Sequence, residues 1–137
     1  MKIMVCVDGS ERAKKAVGIA AQLAGVRGSE LTILNVIDSD ESRKEPIYDE
    51  YGEKYRKAKL ILKEVEEIVR QVGDDIEVNS RIAVGPVSAE IVRMAEDERV
   101  QALFIGSTGA GKIKRMLLGS VADDVIHYAH CPVTVIR

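Results

Sequence analysis

The chain has no tryptophan, one phenylalanine and four tyrosines among its 137 residues. So few rings leave little to stack on exposed bases, which disfavours nucleic-acid binding of the aromatic-platform kind. A dominant charge is missing too. Twenty basic and 22 acidic side chains leave a net charge of −2, too weak a field to draw in DNA, RNA or an anionic membrane. Only two cysteines occur, Cys6 and Cys131, far apart and without C-x-x-C spacing, unlike a secreted disulfide scaffold. The opening MKIMVCVDGS contains an apolar run too short for a signal peptide or a membrane span. These absences point to a reducing, cytoplasmic setting with neither nucleic acid nor membrane as partner.

What is present is an alternation of short β-rich runs and helical patterns. KIMVCV (residues 2–7) reads as a buried strand, and Ser10 can cap a helix in which Ala13, Val17, Ala20, Ala21 and Ala24 recur at helical spacing. Gly25 and Gly28 are expected to end that helix. LTILNVI (31–37) is a second strand, and the charged DSDESRKEPI (38–47) reads as a mobile surface loop. A long helix is expected from about Tyr51 to Val72, with Ala58, Ile61, Leu62, Val65, Ile68, Val69 and Val72 as its apolar stripe and Gly73 closing it. Strands are expected at 76–84, 102–105 and 132–136. Between them lie a helix opened by Gly85-Pro86 and another begun by Ser120, whose S-V-A-D spacing to Asp123 suggests a capping box.

The order β-α-β-α-β-α-β-α-β predicts an α/β fold: one doubly wound domain over residues 1–137, with a five-stranded parallel sheet and helices on both faces. Periodicity leaves the strand order open, and we expect 3-2-1-4-5. In that order the loops after strands 1 and 4 meet at the crevice where ligands bind such sheets. Those loops carry Asp8-Gly9-Ser10 and a glycine cluster.

That cluster reads GSTGAGKIKRMLLGS from Gly106. Glycines tolerate positive φ and let backbone amides converge on phosphate oxygens. Gly119-Ser120 opens a helix, where unpaired amides favour an anion, and Lys112, Lys114 and Arg115 add positive charge. The plainer reading is a pair of tight turns. Gly106 to Lys112 also spells G-x-x-x-x-G-K, but Ile113 stands where a P-loop needs a hydroxyl for magnesium. We therefore set the P-loop aside. Asp8 suits ribose hydroxyls or a base amine as an acceptor, or it simply completes a turn.

The spacing Gly106-x2-Gly109-x9-Gly119-Ser120 resembles the ATP-binding signature of the universal stress protein family. CVDGS, LNVID, the Val84-Gly85-Pro86 turn and LLGSVADDVIHYAHCPVTVIR extend the resemblance over nearly the whole chain. The resemblance implies ATP or another adenine nucleotide, with Mg²⁺, as ligand. Asp8 would lie beside the adenosine and Val36 against the adenine, while Gly106 and Gly109 would border ribose and phosphate. Gly119, Ser120 and Val121 would offer amides and a hydroxyl to the phosphates, with Lys112 or Arg115 adding charge. It further implies a homodimer through residues 132–136, regulating a protein partner that the chain does not name. Cys6 departs from the proline common in the family two residues before the aspartate.

Other features read more plainly. His127, His130 and Cys131 (H-x-x-H-C) lack the further ligands a zinc site needs and suit a helix C-terminus. Cys6 reads as a buried hydrophobe and the acidic helix 50–67 as a solvated face. A slow ATPase, a dimeric scaffold that binds no nucleotide and a flavin carrier are the competing functions. The flavin reading is disfavoured because the glycine loop follows strand 4 instead of strand 1.

Overall fold

The computed structural model describes residues 1–39, 50–108 and 118–137. Of the charged segment 38–47 it covers Asp38 and Ser39 alone. The elements are β1 (Lys2–Cys6), α1 (Glu11–Arg27), β2 (Glu30–Asp38), α2 (Glu50–Val72), β3 (Val78–Gly85), α3 (Val87–Asp97), β4 (Ala102–Gly106), α4 (Ser120–Tyr128) and β5 (Val133–Ile136). Every strand pair is parallel and the order is β3-β2-β1-β4-β5, as expected from the sequence.

Strand alternation sends side chains to two separate cores. Ile3 and Val5 of β1, Leu31 and Ile33 of β2 and Phe104 of β4 face α1 and α2. Met4, Cys6, Leu34, Leu103 and Ile105 face α3 and α4, meeting Ile91, Ala95, Ala122 and Val125. Because both faces are covered, the central strands read as unbroken apolar runs. The buried face of α1 is almost all alanine, which lets this helix lie close to the sheet.

Helix ends follow local chemistry, with some differences from the sequence reading. Ser10 caps α1 by accepting the Ala13 amide at 3.2 Å. Gly28 alone ends α1, in the left-handed region at φ 62°, while Gly25 lies inside the helix. The α2 stripe buries Ala58, Leu62, Val65 and Val69, but Val72, in the last turn, is 38% exposed. The N-cap of α4 falls one residue before the proposed one: Gly119 is the N-cap and Ser120 is the first helical residue, so no side-chain cap forms. The Asp123 amide donates to the Gly119 carbonyl at 2.9 Å, which fixes that register.

The two glycines of α1 should respond oppositely to alanine. Gly28→Ala forces a side chain into the left-handed region and is expected to cost about 1 kcal/mol. Gly25→Ala adds a Cβ at 3.6 Å from Ile76 Cδ1, an ordinary contact, and should be neutral or stabilise by up to ~1 kcal/mol. Urea unfolding of the two variants checks the contrast.

Candidate functional site

The site forms where β1 and β4 end side by side. The ladder of β1 closes on β2 at Cys6 opposite Leu34, after which the Val7 amide donates to the Leu34 carbonyl at 2.9 Å. The Val7 carbonyl has left the ladder. The buried Asn35 side chain satisfies it, donating from Nδ2 at 2.9 Å. Asp8 then accepts the Ser10 amide on Oδ1 at 2.9 Å, and Gly9 turns the chain at φ 87°. Asp8-Gly9-Ser10 is thus one compact device, comprising an aspartate turn, a left-handed residue and a helix cap.

The end of β4 is tied down from two directions. The Ser107 amide donates to the Ile136 carbonyl at 2.6 Å, and the Ser107 carbonyl accepts the Gly119 amide at 2.6 Å. The second bond anchors the start of α4 to the sheet. It also occupies the Gly119 N–H, so the amides pointing forward from α4 are those of Ser120, Val121 and Ala122. Gly106 sits in tight packing: a Cβ there would lie 3.2 Å from Arg12 Cβ and 3.4 Å from the Thr108 carbonyl oxygen, so a side chain would have to push a neighbour aside.

Between these two ends lies a cavity of about 460 Å³. Cys6, Leu34, Val36, Val87, Ile91 and Ile105 line its apolar part, while Asp8, Ser10, Thr108 and Ser120 bring polar groups to its walls. Of the residues singled out in the sequence, Asp8, Val36, Gly106, Gly119, Ser120 and Val121 all line this one cavity. Gly109, Lys112 and Arg115 lie outside the described residues. Val87, Ile91, Ser107 and Thr108 escaped the sequence reading. The first two are ordinary apolar positions of a helix stripe, and only the topology turns them toward a cavity. A flat, weakly polar group can rest on the apolar part, and an anion can meet the α4 amides, where the helix dipole is positive.

The titratable groups nearby fall into distinct roles. Burial, reinforced by Asp8 and Cys131, pushes the Cys6 thiol up to about 12, so it stays a neutral part of the wall. On α4, His127 Nδ1 lies 2.7 Å from the Asp123 carbonyl oxygen, and this contact raises the imidazole pKa above its usual value. Among the described residues no group of three or more His, Cys, Asp or Glu side chains is placed to hold a metal ion.

A parallel sheet of order 3-2-1-4-5 with a pocket at the reversal of its winding defines the Rossmann-like class. Within that class, a family model described as the Universal stress protein family matches residues 1–137. A Staphylococcus haemolyticus protein named as a universal stress protein is 31% identical over 138 residues, which cover 98% of this chain and 83% of that one. Universal stress protein UspA from Lactobacillus plantarum superposes with a TM-score of 0.89 at 26% identity, covering 100% of this chain and 97% of its own. The universal stress protein from Archaeoglobus fulgidus, solved in complex with dAMP, gives a TM-score of 0.78 at 28% identity over 100% and 98% of the two chains. This chain belongs to the universal stress protein family.

The state of Cys6 yields a direct test. With its thiol pKa near 12, thiolate is scarce at pH 8, and iodoacetamide should modify the partly exposed Cys131 while sparing Cys6. Peptide mass mapping reads the outcome, and labelling of Cys6 should set in only as the pH climbs well above 10.

Proposed function

We propose that the cavity binds an adenine nucleotide, ATP with Mg²⁺ foremost, and that the chain acts through a homodimer as a nucleotide-dependent regulator. The observation that carries this reading is the pairing, within one cavity, of an apolar bed at Val36 with the α4 amides of Ser120 and Val121. Asp8 stands between them and offers an acceptor to the ribose. The dAMP complex of the Archaeoglobus fulgidus relative supports an adenine ligand. Gly106 serves by keeping the walls close, Gly119 lines the cavity as the N-cap of α4, and Gly109, Lys112 and Arg115 would complete the phosphate end. With no cluster of three ligating side chains among the described residues, Mg²⁺ would be held chiefly by phosphate oxygens and water.

A carboxylate, backbone amides and an apolar bed are a set suited to binding rather than turnover, which is why regulation is preferred to catalysis. The homodimer reading rests on β5, a four-residue strand at the end of the sheet order, where a second copy would pair. We place this one-domain chain in the cytoplasm. No helix among the described residues is long and apolar enough to cross a membrane.

Titration calorimetry of nucleotide-stripped protein tests the ligand. ATP should bind with a micromolar or tighter Kd, and Val36→Asp and Asp8→Ala should each weaken it by roughly tenfold or more, about 1.4 kcal/mol. A folded, nucleotide-free protein giving no heat with ATP, ADP or AMP overturns the reading and leaves a dimeric scaffold. ADP recovered in place of added ATP would identify a slow ATPase instead. Sedimentation should give twice the chain mass, and a monomer at all concentrations rules out the dimer.

A further inference from the structure

One cation of α1 reaches the rim of this cavity. Arg12 donates from Nη1 to the Thr108 hydroxyl at 2.6 Å, and Thr108 lines the cavity wall. The stem of Arg12 is set by the close packing of its Cβ over Gly106. A guanidinium carries five N–H donors, and here one of them meets a neutral hydroxyl. The neighbouring Glu11 pairs instead with Lys14, at 3.2 Å, and Lys14 also reaches Glu64 at 2.8 Å. Among the described residues no carboxylate pairs with Arg12.

Its place in the helix sharpens the point. Arg12 is the second residue of α1, in the first turn, where the helix dipole is positive and disfavours a cation. A charge in an unfavourable position with no acidic partner among the described residues is the kind of local conflict found at functional sites.

The direction of the cavity says what such a cation would meet. Val36 lies on β2, Asp8 follows β1 and Thr108 follows β4, so a ligand bedded on Val36 crosses two strand spacings to reach Thr108. That is about 10 Å, longer than the span from a nucleobase to its first phosphate, so the phosphates beyond the first come level with Thr108. The first phosphate then meets the α4 amides, and any further phosphate extends to the rim. We propose that Arg12 is a specificity-determining residue, selecting nucleoside polyphosphates over monophosphates by meeting the phosphates beyond the first. Thr108 holds the guanidinium at the rim until that charge arrives. This inference rests on the adenine-nucleotide reading of the cavity.

Equilibrium titrations of ATP and of AMP into the full chain, with Arg12→Gln and Arg12→Lys beside the unaltered protein, provide the test. The glutamine variant should lose about tenfold in affinity for ATP and less than about twofold for AMP, because only the longer ligand forms the charge-assisted bonds. The lysine variant should recover part of the loss, as a point charge without the planar fork. Equal losses for both nucleotides, or no loss for ATP, overturn the role of Arg12 while the ligand reading stands. An unaltered protein that binds neither nucleotide overturns both.

Discussion

The structure depends on β1 being hydrogen-bonded along both edges, to β2 on one side and to β4 on the other. Since crossovers between parallel strands are right-handed, a chain that winds one way from β1 and the other way from β4 must send the two following helices to opposite faces. Helix α1 accordingly packs into one core and α4 into the other. The strand ends are left with a gap between the departing helices, and the cavity is that gap. No side chain has to be hollowed out to make it.

Short bonds then convert the gap into a shaped site. Asn35 replaces the ladder partner that the Val7 carbonyl has lost, and the Ser107 carbonyl takes the Gly119 amide at the other wall. Each bond satisfies a backbone group that would otherwise be stranded beside an apolar cavity. Each also places a loop: one presents Asp8, and the other points the start of α4 inward. Gly106 keeps those walls close, because a methyl group there would press on Arg12 and on the Thr108 carbonyl. Structural and functional readings of these residues are therefore not alternatives. The same hydrogen bonds that finish the fold hold the pocket open and orient its polar groups.

Much of this was legible in the chain. The change from two-residue to 3.6-residue periodicity marked the strands and helices within a residue or two, and Asp8, Val36, Gly106, Gly119, Ser120 and Val121 do converge on one cavity. The errors have physical causes. Ser120 looked like a cap because serine favours that position, but the bond from Gly119 to Ser107 sets the helix register, and no local pattern encodes a bond across 12 residues of chain. Gly25 looked like a helix end because glycine is a weak helix former, yet Ile76 packs beside it and Gly28 takes the left-handed cap.

By itself the sequence determined the α/β class, the sites where the chain turns and the residues carrying the family's signature, all written in local spacing and backbone preference. Tertiary structure alone decided that Val87 and Ile91 face a cavity and that the Gly119 amide is occupied. It also decided that Arg12 meets Thr108 across 96 positions of sequence. Those are contacts between elements, and which elements meet depends on the order in which strands pair, a property of the whole sheet that no single segment records.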